Sequence, residues 1–368
     1  MNKNLFKTYL IYFIVLSLFV GVRIASGLGA FSFIEDAMTR SNVATIVIQV
    51  IVMFIVPFCL ILWLFRKKPK QVFQDAHFNK ISGKSVLICF AIGILLFILN
   101  LAVSSVFNGI IQMFGYQPSS GGSGYTYDTF GKFILGVIFV AVLPGICEEF
   151  LHRGVLMRNI GRETNYNTAI IISSICFGLM HLNIEQFFYA TILGLIIGFV
   201  GAMSDSIFPC MILHFTNNFL SVYFTYAQNA GLPGGDFYKR INTLYSSNSP
   251  IFTFIFSITI LLLVVVGIIY LMFVLFKDTR LKKIYNSLSE VQKEVSGENL
   301  GEQSQQKLET DFNTFILPHL TKSKDTMQVF LPPAKTKKRQ TLSTNIFLIC
   351  TLFMGFLITI FTFMWGLV

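Results

Sequence analysis

The sequence predicts an all-α fold, a polytopic membrane helical bundle of about eight to nine transmembrane helices. Over half of the 368 residues are apolar, 40 are Phe and only 12% are charged, whereas roughly a quarter of a soluble domain is charged. The apolar residues fall in long runs, most of them long enough to cross a hydrocarbon core of about 30 Å. Basic residues are concentrated between these runs.

Nine apolar runs follow one another along the chain. The first follows Lys3 and Lys7 as a signal peptide would, but it is long and no small-residue cleavage site follows, so we expect an uncleaved helix. The runs lie near residues 9–25, 43–65, 86–107, 133–157, 169–182, 187–203, 207–226, 252–276 and 346–368.

The net charge of +10 is distributed as membrane topology requires. One basic cluster lies between the second and third runs and another follows the eighth, and the positive-inside rule places such short loops in the cytoplasm. We therefore expect a multi-pass protein of the cell membrane with a cytoplasmic N-terminus, and anionic lipid headgroups rather than nucleic acid as the partner of this charge. The basic residues are Arg66, Lys67, Lys68, Lys70, Lys80, Lys84, Lys277, Arg280, Lys282 and Lys283.

The polar residues divide the chain into six parts. Residues 1–107 form an N-terminal transmembrane scaffold without intramembrane acid or His, and residues 131–226 hold almost every polar group at membrane depth. Between them, residues 108–130 are a Gly/Ser-rich stretch that we expect to be a flexible extracytoplasmic loop. The remaining parts are an outer loop and eighth span (227–276), a polar cytoplasmic segment with a short surface helix near Ile284–Val295 (277–345), and a C-terminal transmembrane helix (346–368).

Glu148 and Glu149 lie side by side within the fourth apolar run. A charge at the bilayer centre costs at least about 2.5–3.5 kcal/mol, so intramembrane acids usually mark a functional site. Arg153 follows Glu149 by four residues, the favoured acid-first spacing on a helix. We expect Arg153 to hold Glu149 ionised and Glu148 to exchange a proton. His152 is four residues from Glu148, and we expect it to pack rather than react.

Two further polar positions follow in later runs. His181 comes four residues after Phe177, and Asn218 comes four residues after His214, so each pair shares a helix face. We predict two cytoplasmic turns, near Gly161–Asn167 and at Ser204–Ser206. Counted from these turns, a rise of about 1.5 Å per residue puts Glu148 at roughly 18 Å, His181 at about 20 Å, His214 at about 10 Å and Asn218 at roughly 17 Å. These similar depths allow one common site.

Such a site contains the groups that peptide-bond hydrolysis needs. A carboxylate and an imidazole can take a proton from water, and a second imidazole with an amide can donate to the oxyanion. The H-E-x-x-H pattern of helix-borne zinc proteases is absent. Two other classes stay open, a proton relay in a transporter and a catalytically silent scaffold that binds a partner protein. The transporter would need more acids in the other spans than this sequence has.

Three motifs in order resemble a known family. E-E-x-x-x-R at residues 148–153, F-x-x-x-H at 177–181 and H-x-x-x-N at 214–218 are similar to those of the CPBP family, which comprises CAAX-processing (type II prenyl endopeptidase) and bacteriocin-processing enzymes and is also called Abi. The resemblance covers residues 131–226. It implies a helical intramembrane endopeptidase in which Glu148 and His181 activate water while His214 and Asn218 stabilise the oxyanion.

The same resemblance gives Glu149 and Arg153 the task of supporting the first glutamate. It leaves metal use open, and we expect a metal-free mechanism without cofactor, with zinc on Glu148, His181 and His214 as the alternative. The expected substrate is a peptide or lipidated protein: either a prenylated CAAX protein, or a leader peptide or bacteriocin, which suits a bacterial membrane protein. Asp205 stands where relatives commonly have glycine, and the polar segment and last helix have no counterpart in the family core.

Overall fold

The computed structural model describes residues 2–117, 127–247, 250–281, 341–365 and 367, and the described part is helical without strands. The predicted all-α fold is therefore confirmed. The helices are α1 (Lys3–Gly27), α2 (Ala37–Phe65), α3 (Pro69–Asp75), α4 (Gly83–Met113), α5 (Phe130–Glu163), α6 (Tyr166–Leu179), α7 (Ile184–Ser204), α8 (Phe208–Ala230), α9 (Gly235–Ser247), α10 (Pro250–Phe276) and α11 (Leu342–Trp365).

Seven helices of the described residues are long and apolar enough to cross a membrane, namely α1, α2, α4, α5, α7, α10 and α11. Helix α6 is apolar but only 14 residues long. Helix α8 has 23 residues but contains His214, Asn217 and Asn218, and it does not reach the hydropathy of a span. Helix α6 carries Phe177 of the second motif, and α8 carries the third motif.

Some boundaries differ from those that the sequence predicts. Helix α4 continues to Met113, into the stretch expected to be a loop, and the amphipathic helix α9 lies within the predicted outer loop. Helix α11 begins at Leu342, inside the predicted polar segment. The expected surface helix near residues 284–295, most of the polar segment and the Gly/Ser-rich stretch lie outside the described residues.

Turns are present at both predicted places, between α5 and α6 and between α7 and α8. Asn165 caps α6 by accepting from the backbone N–H of Thr168. At the second turn Asp205 has a φ of 55°, a left-handed conformation that glycine adopts more readily. His77 Nδ1 lies 2.6 Å from the Asp205 carboxylate, and the Asn79 amide donates to its carbonyl at 2.7 Å. These contacts from the loop before α4 stabilise the turn that leads into α8.

Helices α2 and α5 are not α-helical throughout. Wider π-helical turns occupy Val47–Ile55 in α2 and both Val137–Val142 and Phe150–Met157 in α5. Pro57 and Pro144 follow the first two stretches, and proline removes a backbone donor that a regular α-helix needs. Such π-helical segments are frequent at functional sites, and here the third stretch contains Arg153 of the predicted site.

The buried apolar residues form two clusters. One joins α1, α2, α5 and α6, and the other joins α4, α7, α8 and α10. The first motif lies on α5 in the first cluster, and the third lies on α8 in the second. The site residues therefore lie where the two clusters meet.

Candidate active site

A buried ionic group joins the first and third motifs. The Glu149 carboxylate has no exposed surface. Its Oε1 lies 3.0 Å from Arg153 Nη1 and 2.8 Å from His214 Nδ1. Arg153 also donates from Nη2 to the Gly194 carbonyl of α7 at 3.0 Å. The Glu149–Arg153 ion pair that the spacing predicts is present, and His214 joins it.

The contact with Glu149 determines which ring nitrogen of His214 carries a proton. A carboxylate only accepts, so His214 Nδ1 donates and Nε2 faces away from the ionic group. An orienting carboxylate of this kind fixes the tautomer of an imidazole and stabilises its protonated form. A protonated His214 presents Nε2–H as a donor on the side opposite Glu149.

Phe177, the first residue of the second motif, lies at the centre of the site. Its ring meets His181, His214 and His152 edge to face, with centroid distances of 5.2, 5.6 and 5.1 Å. The Arg153 guanidinium lies 4.6 Å from the same ring centroid. Residues of all three motifs are therefore in contact with this one side chain.

Glu148 and His181 are close without a direct hydrogen bond among the contacts of the described residues. Glu148 Oε1 accepts from Gln49 Nε2 at 2.7 Å. His181 Nδ1 donates to the Phe177 carbonyl at 3.0 Å, which leaves the lone pair of the neutral ring on Nε2. The charges of Glu148 and His181 are near enough to interact. The expected pair is thus close in space.

Asn218 is held by two hydrogen bonds. Its amide nitrogen donates to the Val140 carbonyl at 2.9 Å, and its Oδ1 accepts from Asn217 Nδ2 at 2.9 Å. Because an amide nitrogen carries two hydrogens, one remains for a ligand. Asn217 thereby fixes the orientation of the neighbouring amide.

His152 has both ring nitrogens engaged. Nδ1 donates to the Glu148 carbonyl at 2.8 Å, and Nε2 lies 2.9 Å from the Tyr12 hydroxyl. The residue is fully buried. These contacts agree with the packing role that the sequence suggested for His152.

The arrangement also bears on the zinc alternative. Within the described part of the chain, no three His, Cys, Asp or Glu side chains are grouped so that they could hold a metal ion. Glu148, His181 and His214 do not form such a group.

Two residues of the site were missed by the sequence reasoning, Gln49 and Asn217. Gln49 belongs to the region expected to be scaffold, yet it contacts Glu148. It is a polar residue within the apolar stretch VIQVIVMFI. A buried amide in such a stretch needs a hydrogen-bond partner. This requirement could have identified Gln49 from the sequence as a residue with a polar contact in the membrane.

The comparisons with known proteins agree with the geometry. The family model "Type II CAAX prenyl endopeptidase Rce1-like" matches residues 130–220. The chain is 25% identical over 169 residues to the "Putative membrane peptidase YdiL" of Bacillus subtilis (strain 168), covering 46% of this chain and 67% of that protein. No solved structure matches the chain. Residues 130–220, which contain the three motifs in order, are thus similar to the type II CAAX prenyl endopeptidase family and to a membrane peptidase.

Proposed function

We propose that the protein is an intramembrane endopeptidase that hydrolyses a peptide bond of a membrane-associated protein or peptide with water activated by Glu148 and His181. The observation that carries this proposal is the buried contact of His214 Nδ1 with Glu149 Oε1 at 2.8 Å. This contact makes the His214 imidazole an oriented donor, while Oε2 of Glu148 is left to act as the base. Hydrolysis needs both groups, a donor and a base.

The first chemical step is the attack of water. Glu148 accepts a proton from the water. His181 Nε2 accepts a hydrogen bond from the same water molecule, because the bond of Nδ1–H to the Phe177 carbonyl leaves the lone pair on Nε2. The water oxygen then bonds to the carbonyl carbon of the substrate. The carbonyl π electrons move to the oxygen, which becomes an oxyanion.

The second step is the collapse of this tetrahedral intermediate. His214 Nε2–H and the remaining N–H of Asn218 donate to the oxyanion, and such preoriented donors favour the transition state over the ground state. The proton held by Glu148 passes to the departing amine as the C–N bond breaks. Glu148 returns to its ionised form, and both protein fragments leave.

Glu149 and Arg153 act on the site through other residues. Glu149 orients His214, and Arg153 compensates the Glu149 charge and ties α5 to α7 through the Gly194 carbonyl. This matches the supporting task that the resemblance gives them. A buried carboxylate without these cations would be costly to ionise.

The similarity to membrane peptidases and the membrane setting support a proposal for the substrate class. We propose a substrate held at the bilayer, either a prenylated CAAX protein or a leader peptide, in a cell membrane where the N-terminus is cytoplasmic. The mechanism requires neither metal nor cofactor. Zinc on Glu148, His181 and His214 is the competing outcome.

The test compares purified wild type in lipid nanodiscs with Glu148→Ala and His214→Ala against a library of farnesylated and unlipidated peptides. Mass spectrometry identifies cleavage sites, and a parallel series is treated with a strong chelator. Wild type should cleave a defined set, both variants should lose this cleavage, and chelation should change nothing. Equal cleavage by Glu148→Ala would refute the mechanism. Loss of activity on chelation with recovery in zinc would establish a metalloenzyme, and an inactive, correctly folded wild type would favour the silent scaffold.

A further inference from the structure

We propose that Gln49 of α2 is a positioning residue for Glu148, so that an N-terminal helix outside the family-matched region completes the active site. This inference rests on the proposed hydrolytic function. It makes helix α2 part of the machinery, whereas the sequence suggested a scaffold.

The first observation is the contact itself. Gln49 Nε2 donates to Glu148 Oε1 at 2.7 Å, and Gln49 is only 7% exposed. Burying an amide in an apolar environment is costly unless it is hydrogen-bonded. Within the described residues the other end of the amide, Oε1, is buried without a partner. The polar contact that the structure records for this side chain is thus the one with Glu148.

The second observation is the backbone around the contact. Gln49 lies in the π-helical stretch Val47–Ile55, which packs against the part of α5 that ends at Glu149. Phe54 of the same stretch meets Phe150 at a centroid distance of 4.6 Å. These contacts hold the two helices together next to the hydrogen bond. The position of Gln49 relative to Glu148 is therefore fixed by packing.

The chemical consequence concerns the orientation of the carboxylate. The last torsion of a glutamate is broad and roughly two-fold, so an unrestrained carboxylate samples many directions. With Oε1 bonded to Gln49, Oε2 is the oxygen left to take the proton of the attacking water. A base must lie within hydrogen-bond distance of the proton that it removes. Gln49 keeps Glu148 in that arrangement.

The experiment is a double-mutant cycle on a quenched fluorescent peptide built from the best cleavage site of the library. Gln49→Met has a similar size and no donor, and it should lower kcat about 10–100-fold, the effect of losing a hydrogen bond to a charged group. KM should not change, because Gln49 does not touch the substrate. Gln49→Asn, a shorter amide, should fall between wild type and Gln49→Met. Gln112→Met, the same change at an exposed glutamine of α4, should have wild-type kinetics.

The background variant Glu148→Ala separates positioning from a structural role. If Gln49 acts through Glu148, Gln49→Met should cause no further loss of the residual rate in Glu148→Ala. An equal loss in both backgrounds, or wild-type kcat in Gln49→Met, would overturn the inference. The melting temperatures of wild type, Gln49→Met, Glu148→Ala and the double variant form a second cycle that needs no substrate. Additive changes in these melting temperatures would also overturn the inference. Full activity of Glu148→Ala would refute the hydrolytic mechanism instead, whatever Gln49 does.

Discussion

His214 Nδ1 lies 2.8 Å from Glu149 Oε1, an oxygen that also contacts Arg153. This relationship assigns different tasks to two adjacent glutamates. Glu149 contacts Arg153 and the His214 imidazole, whereas Glu148 contacts Gln49 and lies near His181. The two adjacent glutamates therefore have different surroundings, and the proposed mechanism gives Glu149 the supporting task and Glu148 the reacting one.

Glu149→Gln should lower kcat about 10–100-fold with KM unchanged, because a neutral amide stabilises a protonated His214 less than a carboxylate does. Steady-state kinetics on the best library peptide measure this. The same change at the exposed loop residue Glu35 provides the control and should have no effect. Wild-type kcat in Glu149→Gln would show that the contact with His214 is irrelevant to the reaction.

Glu149→Ala should also destabilise the fold, because it leaves the Arg153 charge buried without its counter-ion. Removing one partner of a buried pair typically costs about 3–5 kcal/mol. Thermal unfolding in nanodiscs should show a clearly lower melting temperature, and Glu149→Gln should show a smaller decrease. A melting temperature equal to that of wild type would contradict the buried ion pair.

Asn217→Ala should lower kcat about 2–10-fold, because Asn218 would lose the hydrogen bond that orients its amide. KM and the cleavage site should stay the same. Asn159→Ala removes an amide that donates to a carbonyl of its own helix, α5, and it is the matched control. If Asn159→Ala lowered kcat as much as Asn217→Ala, the effect would not be specific to the Asn218 amide.

Tyr12→Phe and Tyr9→Phe form a pair that tests the packing around His152. The Tyr12 hydroxyl contacts His152 and the Cys176 carbonyl, so its loss should lower the free energy of unfolding by about 1–3 kcal/mol. The Tyr9 hydroxyl is buried without a hydrogen-bond partner among the described residues, and its removal should be neutral or stabilising. Thermal unfolding of both variants decides this, and equal effects would contradict the assigned contacts.

Gly178→Ala should disturb the end of α6, where His181 begins its turn. A Cβ at this position would collide with Thr191 Oγ1 and lie 2.7 Å from the Phe187 carbonyl oxygen. Overpacking of this kind costs about 1–3 kcal/mol, and kcat should fall because His181 N–H bonds the Gly178 carbonyl. A Cβ at Gly21 in α1 would have nothing within 4 Å, so Gly21→Ala should leave kcat unchanged and should not lower the stability. A tolerated Gly178→Ala would show that α6 and α7 can separate here without consequence.

The sequence predicted the helical membrane fold, the two turns and the Glu149–Arg153 pair, because each depends on local spacing along one helix. Counting residues also predicted that His214 would reach the depth of the glutamates. It could not predict that His214 would meet Glu149, because that depends on how α8 is rotated against α5. The helix faces are set by tertiary packing around Phe177, which no local pattern encodes.

Gln49 is a second residue whose contact could not be predicted from local sequence patterns. Its contact with Glu148 joins residues that are 99 positions apart, and no periodicity links them. The sequence did not predict the π-helical stretches either, although Pro57 and Pro144 lie next to two of the places where the regular helix is disturbed. The close contact of α7 with α6 at Gly194, where a Cβ would lie 3.1 Å from Ser174, likewise joins two helices.

Oxygen-18 labelling in a single turnover tests the central claim most directly. Excess wild-type protein cleaves the best peptide in oxygen-18 water, and mass spectrometry then reads both the product and the protein segment that contains Glu148. Direct attack by activated water predicts one oxygen-18 atom in the new carboxylate of the product and none in Glu148. Label in Glu148, or a product that is unlabelled in the first turnover, would show a covalent intermediate on the protein and contradict the account.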